Sequence, residues 1–294
     1  MKFTENLDLM SKRKLWFTIS GAFMVLALLF LVISGLNLGI DFQGGSIIEY
    51  SFTEAVDTEQ VRGVLQEINI ATEAQLQDSG DAEEYGVIIR SSELSQEEIQ
   101  EVNDAMAANF EGTDLLRSES IGAVIGEELR MQALLALLVA AIAIVIYISF
   151  RFEFKFAITA LMTLAHDVVF TIGVFALLGR EINTAFIAAL LTIIGYSIND
   201  TIVIFDRIRE NMKIHKRSSF TELANRAVVD TLPRSINTSM TTLVAILAIY
   251  LFGGAAIQTF MLALFVGMAV GTYSSIFVAS PILVSWQAKV ETAK

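Results

Sequence analysis

The chain has 294 residues, 54% of them hydrophobic and only 18% charged, with a formal net charge of −12 and no cysteine. Disulfides, thiolate chemistry and thiolate-bound zinc are thereby excluded, and with only His166 and His215 present no histidine-rich metal site is expected. The apolar residues are gathered into runs long enough to cross a bilayer, which points to a membrane protein before any soluble class.

The first run, residues 15–36, follows Lys12-Arg13-Lys14. It is too long for the apolar core of a signal peptide, about 7–15 residues, and is read as an uncleaved transmembrane helix behind a cytoplasmic segment, residues 1–14. Residues 37–130 then read as a compact acidic α+β domain. Its basic residues are Arg62, Arg90, Arg117 and Arg130, against about twenty Asp and Glu. Strands are expected at residues 46–52, 85–90 and 115–125, the first and second rich in strand formers. Helices are expected at residues 57–68, with Val61, Leu65 and Ile68 on one face, and 95–110. The latter opens with the capping box Ser95-Gln96-Glu97-Glu98 and carries Ile99, Val102 and Met106 on one side. Strand, helix, strand, helix, strand suits a small ferredoxin-like sandwich.

The remainder of the bundle, residues 131–286, holds five further spans at about 131–150, 156–178, 184–205, 233–252 and 257–286. A basic loop at 206–232 lies between the fourth and fifth, and residues 287–294 form a C-terminal tail. The fold class is therefore an α-helical polytopic membrane protein with six transmembrane helices and a small α+β ferredoxin-like extracytoplasmic domain. Lys12–Lys14, Arg151 with Lys155, the arginines and lysines of 206–232, and Lys289 with Lys294 fall on one side, and Arg180 alone among the short connections violates the pattern. Both termini are assigned to the cytoplasm and the acidic domain to the outside.

An ionisable group in hydrocarbon costs about 2.5–3.5 kcal/mol on insertion scales, so each one needs a reason. Asp200 lies inside the fourth apolar run. The apolar part of the fifth, Leu243 to Phe252, is too short to cross alone, so its polar beginning must also lie in the membrane, with Pro233 expected in the first helical turn. Asp200 and Arg234 then share a depth in antiparallel spans, with Asn199, Asn237, Thr238 and Ser239 as polar support, an arrangement suited to a proton relay. A static ion pair joining two helices is the plainer reading. His166-Asp167, near the middle of the third span, is a second polar point, either supporting the relay or pairing locally. Ala263, Gly267, Gly271 and Ser275 repeat every four residues and favour close helix packing. Asp41, Gly44 and Gly45 read as a tight turn or hinge. The spans hold no nucleophile–base pair and the chain has no Gly-rich phosphate loop, so neither an enzyme nor a nucleotide site is indicated, and no cofactor is expected.

Leu38-Gly39-Ile40-Asp41-Phe42-Gln43-Gly44-Gly45, the stretch from Gly195 to Arg207, Arg234-Ser235-Ile236-Asn237-Thr238-Ser239 and His166-Asp167 together resemble the SecF family of the SecDF protein-export factor, over essentially the whole chain. The resemblance implies half of a resistance–nodulation–division transporter in the bacterial inner membrane. It implies proton conduction through Asp200 and Arg234, and late steps of preprotein export driven by the proton motive force. The partners it implies are SecD, the SecYEG translocon and the translocating preprotein, with YajC, YidC and membrane lipids as further expectations and no nucleic acid. The alternatives are a half-transporter of the same superfamily for small molecules or lipids, and a non-conducting assembly subunit of a channel.

Overall fold

The computed structural model describes residues 7–70, 75–78 and 85–292, so Lys294 lies outside the described residues. The chain divides into two compact units, Leu38–Leu134 and the membrane unit of Met1–Asn37 with Leu135–Lys294.

In the first unit, a one-turn helix α2 (Ile40–Gln43) leads into β1 (Gly45–Phe52), followed by α3 (Thr58–Glu67), β2 (Gln75–Asp78), β3 (Tyr85–Ser91), α4 (Gln96–Asn109) and β4 (Asp114–Ile121). The sheet order is β2-β3-β1-β4 and every pairing is antiparallel. That is the split βαβ arrangement of a ferredoxin-like domain. It has four strands rather than the expected three, because the polar Gln75-Leu76-Gln77-Asp78 pairs with β3 without any strand-forming composition to announce it. The last strand ends at Ile121, four residues before the expected end. Ile48, Tyr50 and Phe52 of β1 pack with Val61 and Leu65 of α3 and with Ile99, Val102 and Met106 of α4 in one core. Both helices start at capping boxes, Asp57 with Gln60 and Ser95 with Glu98, which satisfy otherwise orphaned N-terminal amides.

Gly44 and Gly45 have φ of 76° and 120°. A Cβ at Gly44 would lie 2.8 Å from Ala123 Cα, and one at Gly45 would lie 2.6 Å from Ser91 O. Only glycine fits both the backbone conformation and the space.

Among the described residues, six helices are long and apolar enough to cross a membrane. They are α1 (Arg13–Ser34), α5 (Ala123–Arg151), α6 (Phe154–Leu178), α7 (Thr184–Ile214), α8 (Phe220–Phe252) and a composite last span. The last span joins α9 (Ala255–Ser274) to α10 (Ser280–Thr292) through a π-helical turn, Ser275–Ala279. Pro281 explains the turn. Its missing N–H leaves no ordinary helical donor for the Phe277 carbonyl, and a wider turn absorbs the lost register. α6, α7 and the last span form the buried middle, while α1, α5 and α8 expose most of their surface.

Two further expectations differ from the structure. Residues 206–232 form a helical hairpin rather than an irregular loop. α7 runs on to Ile214, and α8 starts at Phe220 behind a capping box of Ser219 and Glu222. Pro233 is consequently in the interior of α8 and not in its first turn, where it deprives the Val229 carbonyl of its helical donor. The long amphipathic stretch from Phe220 supplies enough helix to carry the proline. Its inner side joins Phe156, Phe205, Ile208, Ala224, Val228 and Leu283 in the core of this end of the bundle. Met10, fully buried, plugs the same core. Asn225 clamps the chain before it, accepting from Leu9 N and Met10 N and donating to Leu7 O.

Close approach of helices follows the small residues. A Cβ at Gly173 of α6 would collide with Ala27 of α1, one at Gly267 of α9 with Ile193 of α7, and one at Gly271 with Ser197.

Candidate functional site

The polar residues within the spans gather in two neighbouring clusters. The first surrounds Asp167 on α6, which is fully buried. Its Oδ2 accepts from Ser197 Oγ of α7 at 2.7 Å and from Ser274 Oγ of α9 at 2.8 Å, and its Oδ1 lies 3.1 Å from His166 Nδ1. One carboxylate thereby ties three helices together. The network continues along α7, where the Ser197 carbonyl accepts from Thr201 Oγ1 and from Ser275 Oγ, and these two hydroxyls lie 2.9 Å apart. Ser275 thus combines close packing with hydrogen bonding, at the start of the π-helical turn. His166 is buried, its ring stacked at 6.4 Å on Phe170 and its Nε2 without a hydrogen-bond partner among the described residues.

The second cluster lies between α7, α8 and α9. Asp200 is 5% exposed. Ser235 and Arg234, successive residues of α8, are the groups that act on its carboxylate. Neither Asp200 Oδ2 nor Ser235 Oγ completes a hydrogen bond of good geometry. One helical turn along α8, Ser239 is buried and accepts from Thr272 Oγ1 of α9 at 2.7 Å and from Tyr196 Oη of α7 at 3.4 Å. A buried carboxylate oxygen with no donor among the described residues is costly in a low-dielectric surrounding.

Asp200 and Arg234 do come together in the fold, but they form no ion pair among the described residues. Arg234 is exposed and faces a cavity of about 510 Å³, lined also by Val203 and Thr231 and by the charged residues of α5 and α7. Of the expected polar support, Ser239, His166 and Asp167 are buried, while Asn199, Asn237 and Thr238 sit on the outside of the bundle. The reason is helical geometry. Successive residues point about 100° apart, so Asn199 turns away when Asp200 turns inward. Asp206 is at the surface with Arg151 at 3.5 Å and Arg209 at 3.6 Å. Asp41 lies in the first turn of α2, and Gly44 and Gly45 form the strained turn described above.

Sequence reasoning missed the hydroxyl partners, namely Ser197, Thr201, Ser274, Ser275, Ser235 and Thr272. Their signal was spacing. Ser197 and Thr201 are four apart in α7, and Thr272, Ser274 and Ser275 crowd one stretch of the last span, beside apolar neighbours.

Residues 101–289 match the family model for the C-terminal part of the protein export membrane proteins SecD and SecF, and residues 29–56 match the SecD/SecF GG motif. The chain belongs to the SecD/SecF family. Its similarity to SecF relatives runs nearly end to end. It is 38% identical to the protein translocase subunit SecF of Calditerrivibrio nitroreducens over 95% of this chain and 94% of that one. It is 39% identical to SecF of Haemophilus influenzae over 92% and 83%. The crystal structure of SecDF, a translocon-associated membrane protein from Thermus thermophilus, superposes with a TM-score of 0.88 at 38% identity, covering 98% of this chain. The chain spans 40% of that longer protein. The matched GG motif contains Gly44 and Gly45, the two glycines that geometry makes irreplaceable.

Proposed function

We propose that the chain serves as a SecF-type subunit of the Sec protein-export factor. With a SecD partner it uses the proton motive force to promote late steps of preprotein export through SecYEG in the bacterial inner membrane, with both termini cytoplasmic. Asp200 is the proton-binding group and Arg234 its modulating charge. The observation that carries this reading is Asp200 Oδ2, which is buried beside Ser235 and lacks a hydrogen-bond partner of good geometry among the described residues. A carboxylate left in that condition gains most from taking up a proton, and each charge moved through 100 mV supplies about 2.3 kcal/mol.

The outward polar face supports a membrane partner. Asn237, Thr238 and Thr241 of α8 and Asn199 of α7 are all exposed in this chain. Against lipid tails such a face is unfavourable, whereas against the polar helices of a SecD-type subunit it completes hydrogen bonds. The coverage of 40% of the SecDF chain is consistent with a second subunit supplying the rest. Protonation of Asp200 would weaken its attraction to Arg234, let α7 and α8 shift, and move the extracytoplasmic domain. The bundle so read performs transport rather than catalysis.

The test is reconstitution with a SecD-type partner in vesicles under an imposed pH gradient. Asp200→Asn is expected to reduce proton flux and gradient-dependent export to background while the two subunits still copurify. Flux and export at wild-type rates in that variant would reject the relay.

A further inference from the structure

Beside the end of α5 and the neighbouring parts of α7 and α8, the cavity of about 510 Å³ is lined by Arg151, Arg207, Arg209, Lys213 and Arg234, against Asp206 and Glu210. The carboxylates are already occupied. Asp206 is shared between Arg151 and Arg209, and Glu210 lies 2.7 Å from Arg207, which also holds Asp230 at 2.6 Å. Arg209 is further fixed by donating to the Arg151 carbonyl and lying over the Phe152 ring. Lys213 remains, a cation lining the cavity with no ion pair among the described residues, and Arg234, whose charge also acts on Asp200, lines the same cavity.

We infer that this cavity binds the phosphate of an anionic phospholipid headgroup. The charge is right, since an excess of cations converges on a space large enough for a headgroup. The depth is right as well. Arg151 ends a membrane span, and the preceding Tyr147 and Phe150 are 57% and 89% exposed, offering apolar and aromatic surface to acyl chains at the interface. Arginines held in place by their own carboxylates keep their remaining N–H groups oriented for phosphate oxygens. Basic pockets between spans on the cytoplasmic side are a recognised form of headgroup site. A lipid bound here would touch α5, α7 and α8 and bear on Arg234. The inference requires no ion movement, so it stands or falls apart from the export reading.

The test uses the full chain in zwitterionic detergent, with native mass spectrometry and the thermal unfolding midpoint as readouts. Short-chain phosphatidylglycerol, short-chain phosphatidylcholine and inorganic phosphate are added in turn. Retention of phosphatidylglycerol and a raised midpoint are expected, with neither produced by phosphatidylcholine or phosphate alone. Lys213→Gln should weaken phosphatidylglycerol binding about fivefold, the effect of one interfacial cation, while Lys216→Gln, an equal charge loss outside the cavity lining, should not. The inference is overturned if phosphatidylglycerol fails to bind, if phosphatidylcholine binds as well, if phosphate alone reproduces the shift, or if the two variants behave alike.

Discussion

Ser197 Oγ donates to Asp167 Oδ2 at 2.7 Å, while Asp200, three residues further along the same helix, has a carboxylate oxygen with no donor. One helix thus holds the acid of a neighbouring helix with its serine and carries a second acid of its own, the first with three partners and the second with an unsatisfied oxygen among the described residues. The contrast separates a carboxylate held by hydrogen bonds from one left short of donors among the described residues.

Asp167 is expected to be a stability residue first. Asp167→Ala strands the hydroxyls of Ser197 and Ser274 and should cost about 1–3 kcal/mol in unfolding experiments on detergent-solubilised protein. Ser274→Ala should cost less, about 0.6 kcal/mol, the usual size of an interhelical hydrogen bond in a membrane bundle. An Asp167→Ala protein as stable as the parent would show that the network does not bind the helices together.

The approach of α9 to α7 gives a steric prediction. Gly267→Leu has no space against Ile193 and should destabilise by about 1–3 kcal/mol. Gly195→Ala, where nothing lies within 4 Å, should be nearly neutral. Equal effects of the two in a thermal unfolding assay would contradict the close crossing.

The turn into β1 gives a third. Gly45→Ala adopts a φ that side chains avoid and meets Ser91 O, so a cost of about 1–3 kcal/mol is expected. Hydrogen exchange should show the loss as faster exchange of β1 and β3 amides, leaving those of α6 and α7 unchanged.

Tyr50 supplies a pH dependence. Its hydroxyl donates to Asn103 Oδ1 at 2.6 Å, and burial pushes its pKa above the ordinary tyrosine value. The folded form therefore resists ionisation more than the unfolded form does. Its contribution is fully present below pH about 10 and is lost as pH rises beyond that. Tyr50→Phe should lower stability at neutral pH by about 1 kcal/mol and flatten the alkaline decline, measured by denaturant unfolding monitored at the α+β domain. An unchanged alkaline limb would assign that decline to other groups.

The sequence alone determined what depends on neighbours along the chain. The apolar runs mark six spans because length and hydropathy are local quantities, and the Ser95 capping box and the faces of α3 and α4 are written in spacings of three and four. The Gly44-Gly45 pair was legible because positive φ leaves few other choices. Tertiary structure alone decided which polar groups meet. Asp167 became the centre of a three-helix network and Asn199 was turned outward because helix rotation and crossing set side-chain direction, and sequence does not record them. Pro233 fell inside a helix for a related reason, since packing of Ala224 and Val228 into the bundle core holds the helix that local signals placed in a loop.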